Sequence, residues 1–160
     1  MLKIQNDVLR AIDDKKCVFL VLLEMSAAFD TVDHDVLLNR LSNRIGIRGK
    51  ALDWIASYLH ERKQFFLFVV IDGKHSTTHT LDCNVPQGSV LGPGMFSDYE
   101  SPVGDIFRRH NIPFHLYADD TQVYLAFEPI NESEALARLE SCLQEVRIWM
   151  VKNSLKLNDS

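Results

Sequence analysis

The chain has 160 residues, of which 46% are hydrophobic and 24% charged, the composition of one globular domain large enough to bury a core. Its formal net charge is −5, which excludes a uniformly basic nucleic-acid binder, and no apolar run approaches the roughly 18 residues of a membrane span. The charge is uneven: Arg40, Arg44, Arg48, Lys50, Arg62, Lys63 and Lys74 stand against only Asp53, Glu61 and Asp72, leaving Val36–Thr80 at +4 and the remainder at −9; such a stretch suits either phosphates or a solvated helix surface.

In chain order, Cys17-Val18-Phe19-Leu20-Val21-Leu22-Leu23 is a continuous apolar run that predicts a buried strand, and no signal peptide precedes it. Asp33 to Ile45 carries Val36, Leu37, Leu41 and Ile45 at helical spacing, with Asp33 as N-cap. After Gly46 and Gly49, Ala51–Leu59 is a second helix with Leu52, Ile55 and Leu59 on one face. Gln64–Ile71 and Thr77–Val85 read as strands joined at Asp72-Gly73, a hairpin signal. Pro86–Pro93 is a loop, and a helix follows to about His110, with Asp98, Glu100 and Asp105 on its exposed face and a bend at Pro102 and Gly104.

Pro113–Tyr117 and Thr121–Phe127 are short strands around Ala118-Asp119-Asp120. Asn131–Asn153 is the clearest helix, with Leu136, Leu139, Leu143, Val146 and Met150 in register. Leu155-Lys156-Leu157 begins a further strand. Cys17, Cys83 and Cys142 are odd in number and lack metal-ligand spacing, which predicts reduced thiols in an intracellular protein, with Cys17 and Cys142 as small core residues; nucleus and cytoplasm are not distinguished. This order predicts one α+β domain: a mostly antiparallel sheet with helices packed on one face.

Asp119 and Asp120, adjacent between two apolar strands, repel each other unless a proton or a cation intervenes. Mg²⁺ favours such carboxylate oxygens together with phosphates. By themselves the two residues fit an ordinary turn, since Asp is a common turn former. Glu24, in Leu22-Leu23-Glu24-Met25, lies at the end of the first strand; if that strand pairs beside the hairpin, three carboxylates meet at strand ends, an arrangement that could hold two cations for in-line phosphoryl transfer. Asp30, Asp33, His34 and Asp35 form another acidic cluster, better suited to helix capping and to the dipole of a helix N-terminus than to a metal.

Four segments together resemble the palm region of reverse transcriptases of the non-long-terminal-repeat (LINE-type) retrotransposons. Leu23-Glu24-Met25-Ser26-Ala27-Ala28-Phe29-Asp30-Thr31-Val32-Asp33-His34 is similar to the first palm motif, and Val85-Pro86-Gln87-Gly88-Ser89-Val90-Leu91-Gly92-Pro93 to the template-and-nucleotide loop. Tyr117-Ala118-Asp119-Asp120 is similar to the metal-binding hairpin. Trp149-Met150, Asn153 and Leu155-Lys156-Leu157-Asn158 are similar to the start of the next motif. The resemblance covers nearly the whole chain and implies a polymerase palm-like sheet, truncated at both ends, without a complete fingers region or a thumb.

The resemblance also implies RNA-templated DNA synthesis from deoxynucleoside triphosphates on a DNA primer, with two Mg²⁺ ions (or Mn²⁺) held by Glu24, Asp119 and Asp120. Phe29 would lie under the incoming sugar and exclude a 2′-hydroxyl; its alternative is a core Phe beside the strand end. Gln87 and Gly88 would approach nucleotide and template, where glycine lets the backbone come close, and Tyr117 would flank the site.

The sequence departs from the pattern in several places. Glu24 stands where the family has Asp, on a stem one methylene longer, and misplacement by about 1 Å can cost on the order of 100-fold in rate. Asn84 replaces a Gly, and Gly94 and Met95 replace two Leu; Gly94 weakens its helix by roughly 1 kcal/mol relative to Ala. Asp98 and Glu100 fall where apolar or neutral residues are usual. The expectation is therefore a reverse-transcriptase domain with impaired or lost polymerisation. The alternatives are a non-catalytic remnant that binds RNA or a protein, and another two-metal phosphoryl-transfer enzyme such as a nuclease, which leaves Pro86–Pro93 unexplained.

Overall fold

A computed structural model describes the chain except for residues 1, 27, 61–84, 86–87, 118–119 and 159–160. The expected hairpin over Gln64–Val85 lies outside the described residues apart from Val85 itself. The described elements are α1 (Leu2–Asp13), β1 (Cys17–Ser26), α2 (His34–Arg40), α3 (Lys50–His60), α4 (Gly92–Glu100), α5 (Val103–Arg109), β2 (Phe114–Tyr117), β3 (Asp120–Phe127), α6 (Glu132–Lys152) and β4 (Lys156–Leu157). They divide into two compact units, Met1–Ala28 with Glu100–Ser160, and Phe29–Tyr99.

The first unit is built on an antiparallel sheet in the order β2-β3-β1-β4. In β3 the alternation of buried Thr121, Val123, Leu125 and Phe127 with Asp120, Gln122, Tyr124 and Ala126 defines its two faces. β1 was expected to be buried throughout, yet Leu20 is 52% and Leu22 67% exposed. The reason is that an antiparallel strand needs cover on only one face. Part of the outer face is occupied by α1, whose Asp7 accepts a hydrogen bond of 2.6 Å from the Tyr124 hydroxyl. This helix was not anticipated, although Ile4, Val8, Ala11 and Ile12 recur at helical spacing; Ile4 and Ala11 are buried and Leu9 and Ile12 exposed.

α6 packs on β3 and β4 and α5 on α6 and β2. The buried stripe of α6 is Ala135, Leu139, Cys142, Val146 and Met150. Leu136, expected inside, is exposed; the helix turns its small Ala135 and Cys142 inward, which allows a closer approach of neighbouring backbone. Burial pushes the Cys142 thiol up to about 11. Cys17, expected in the core, is exposed; it stands on the first rung of the ladder, opposite Phe127. At the α5 terminus Arg109 and His110 both bond Glu145 of α6, His110 at 2.9 Å, and the His110 bond leads in holding that carboxyl below its ordinary range. Gly104 lies under the Phe114 ring, so closely that a Cβ there would meet Cζ at 3.0 Å.

The long helix expected to reach His110 is interrupted at Ser101-Pro102 and resumes at Val103, since proline removes a backbone donor and crowds the preceding turn. Glu100 was expected on its exposed face and is instead 1% exposed. Helical spacing puts it on the same stripe as Phe96, four residues earlier and fully buried. Asp98 is half-buried, which raises its carboxyl above the usual range.

In the second unit Asp33 caps α2 as expected, its Oδ1 accepting from the Val36 N–H at 2.9 Å. Leu37, Leu41 and Leu59 form the buried interior, and Leu52 and Ile55 share the partly buried face of α3. Ile45, expected inside, is exposed: helix α2 passes through a π-turn at Leu41–Ile45 and stops at Gly46, whose φ of +87° favours glycine. His34 is buried, its ring 5.3 Å from that of His60. Arg40 bonds the Tyr99 carbonyl and lies over the Tyr99 ring at 4.5 Å, so one member of the basic segment is committed to holding α2 and α4 together.

Candidate active site at the β1–β3 edge

The hairpin forms because two alternating apolar strands are separated by two residues. Tyr117 pairs with Asp120 as the last rung of β2 and β3, and the connecting Ala118 and Asp119 lie outside the described residues. On the other side of β3, Asp120 pairs with Glu24 of β1. Both side chains are on the exposed face, and directly opposed residues have Cβ atoms roughly 4.5–5.5 Å apart. β1 runs on to Ser26, so Glu24 is the eighth of its ten residues.

Two carboxylates facing each other across a ladder are mutually destabilising. Their oxygen-only donors suit a hard divalent cation such as Mg²⁺. Among the described residues no three or more His, Cys, Asp or Glu side chains gather; the third carboxylate of the expected set is Asp119, which is not among them. The Glu24 carboxylate is itself held: Oε2 accepts from the Asn158 side-chain amide at 3.3 Å, and the Glu24 carbonyl accepts from the Asn158 N–H at 2.9 Å. Sequence reasoning placed Asn158 in a motif but not against Glu24. Behind Asp120, the Thr121 hydroxyl is buried without a hydrogen-bond partner among the described residues. Tyr117 is 72% exposed beside Asp120.

The remaining expected site residues belong to the second unit. Phe29 sits in a 3-10 turn over Ala28–Thr31, partly buried, its ring 5.2 Å from that of Phe96. Its carbonyl accepts the Val85 N–H at 2.8 Å, and Val85 is fully buried. Gln87 is outside the described residues. Gly88 has φ +76°, a backbone that disfavours any side chain. The Ser89 hydroxyl accepts from the Gly92 N–H at 3.0 Å and so caps the start of α4.

A family model described as reverse transcriptase (RNA-dependent DNA polymerase) matches residues 3–160. The chain belongs to the reverse transcriptase family. This reverse transcriptase domain is 30% identical over 162 residues to the RNA-directed DNA polymerase from mobile element jockey of Drosophila melanogaster. It is 28% identical over 161 residues to the probable RNA-directed DNA polymerase from transposon BS of the same fly. In each case the match covers 98% of this chain and 17% of the relative, so the domain spans about a sixth of those proteins. Among solved structures, the apo telomerase of Candida tropicalis truncated from its C-terminal domain superposes with a TM-score of 0.64 at 13% identity, covering 99% of this chain and 34% of that one. That likeness establishes the polymerase palm-like fold. No helix among the described residues is long and apolar enough to cross a membrane.

Proposed function

We propose that this domain carries the nucleotidyl-transfer site of a non-long-terminal-repeat retrotransposon reverse transcriptase in a form whose polymerisation is impaired. The observation that supports the reading is the Glu24–Asp120 rung, which sets two carboxylates against each other on the exposed face. In this reading Glu24, Asp119 and Asp120 hold two Mg²⁺ ions, or Mn²⁺ in their place. Bound divalent cations supply neutralisation of the triphosphate and acidification of the attacking primer hydroxyl.

The chain's own groups do the rest. Phe29, steadied by Phe96, lies against the sugar of the incoming deoxynucleoside triphosphate and excludes a 2′-hydroxyl. Gln87 and the bare backbone of Gly88 approach nucleotide and RNA template, and Tyr117 flanks the hairpin. The impairment follows from Glu24, whose extra methylene shifts a carboxylate in chemistry that tolerates little displacement. A second reading, RNA binding without catalysis, is favoured by the exposed Arg44, Arg48 and Lys50; its affinity would fall steeply with salt.

The test is Mn²⁺ binding by the wild type and by Asp119→Ala, together with extension of a DNA primer on an RNA template. The expected result is metal binding that Asp119→Ala abolishes, with slow or undetectable extension. No binding by the wild type, or equal binding by the variant, removes the metal site. Rapid extension by the wild type removes the impairment.

A further inference from the structure

The sheet pairing continues across Glu24 on both sides. Met25 pairs with Leu157 and Ser26 with Lys156, and the Asn158 N–H extends that ladder to the Glu24 carbonyl. Glu24 therefore has Asp120 as its neighbour on β3 and Asn158 as its neighbour beyond β4. One neighbour repels its carboxylate and the other donates to it.

We infer that Asn158 is the positioning residue for the Glu24 carboxylate, and that it makes the longer side chain usable as a metal ligand. The inference rests on the metal-site reading above. Its physical content is reach. A glutamate has one more rotatable bond than an aspartate, and that freedom must be removed for a ligand to sit in one place. The Asn158 amide does so by donating to Oε2 at 3.3 Å while its backbone is fixed by the 2.9 Å bond from its own N–H. Because a carboxylate only accepts, the amide nitrogen is the end that faces it. A neutral donor also orients the carboxylate without neutralising it, as a lysine at the same place would. An aspartate at position 24, shorter by a methylene, would not reach this amide from the same backbone.

The experiment is a double-mutant cycle on Mn²⁺ affinity with Asn158→Ala and Glu24→Asp. Partners that orient a ligating group typically carry 10–100-fold in metal affinity, so Asn158→Ala alone is expected to weaken binding by about 10-fold or more. In the Glu24→Asp background the same change is expected to shift affinity by no more than about 2-fold, the ordinary error of additivity. An equal loss in both backgrounds, or no loss in either, overturns the inference.

Asn158→Ala keeps the backbone N–H that pairs with Glu24; if it nevertheless fails to fold, Asn158→Leu, of similar volume and without the donor, takes its place in the cycle. A metal-free readout accompanies it: the side-chain amide resonances of Asn158 are expected to shift in Glu24→Asp and to stay in place in Asp120→Asn. Amide resonances unmoved by Glu24→Asp overturn the inference. Absence of Mn²⁺ binding by the wild type instead defeats the metal-site reading, and the amide resonances then decide alone whether Asn158 holds Glu24.

Discussion

The two ends of the β1–β3 ladder are built on opposite principles. At the Cys17–Phe127 end the inner face closes on apolar contact: the Phe19 and Phe127 rings are 4.4 Å apart and Val123, Leu125 and Phe127 are buried, while on the outer face Tyr124 bonds α1 through Asp7. At the Glu24–Asp120 end two carboxylates oppose each other, the buried Thr121 hydroxyl has no partner among the described residues, and Leu22 and Tyr117 are exposed. Strain and unfavourable charge persist in a fold only where the surroundings over-determine them. The first end supplies that surplus and the second uses it.

The largest expected effect comes from breaking the stable end. Phe127→Ala should destabilise the protein by about 3 kcal/mol or more, as truncation of buried aromatics does, read from the urea midpoint. At the other end the sign reverses. Thr121→Val removes a buried hydroxyl with no partner among the described residues and should stabilise by roughly 1 kcal/mol; a loss of stability would reveal a partner. Asp120→Asn relieves the opposition to Glu24 and should raise the stability of the metal-free protein by about 0.2–1 kcal/mol while weakening Mn²⁺ binding. If it destabilises the metal-free protein, the two carboxylates do not repel as described.

The smallest effect is in the pH dependence. The Tyr124 phenol is pushed up to about 12, first by burial and then by its bond to Asp7 and that residue's charge. A folded-state pKa above the ordinary value means that the neutral phenol is favoured in the fold. Its contribution is fully present below about pH 10 and is lost as pH rises from there through about 12. Wild-type stability should fall more steeply than that of Tyr124→Phe across this window, and Asp7→Asn should lower the tyrosinate transition without bringing it all the way to the ordinary value.

Most of the framework was legible because it is local. The short apolar runs on either side of Ala118-Asp119-Asp120 placed β2 and β3 within a residue of their observed bounds, Asp33 announced its cap, and Tyr117 and Asp120 flank a connection short enough to fix the hairpin register. What was hidden depends on partners distant in sequence. Which stripe of α6 turns inward is decided by the sheet it packs on, so Leu136, expected inside, is outside, while Cys142 is in the core as expected. Glu100 reads as an exposed charge until its helix is seen to bury the Phe96 stripe. The Asn158–Glu24 contact joins residues 134 apart, and nothing in either neighbourhood names the other. The four motifs conveyed the family, whereas the geometry of Asp119 and Gln87 lies outside the described residues.

The rung that carries Asp120 and Glu24 also constrains how the chain may be threaded. Side chains in a strand alternate with period two, so a slip of one residue exchanges its faces. Sliding β1 by one position would drive Glu24 inward and turn out Met25, which is 4% exposed. β1 pairs with β3 over Cys17–Glu24 and with β4 at Met25 and Ser26, so the same slip would put both registers out of step. An inserted or deleted residue in β1 would therefore expel the charge, the core methionine and both neighbouring strands from their places in one step. The acidic edge acts as a frame mark for the sheet, whether or not a nucleotide ever reaches it.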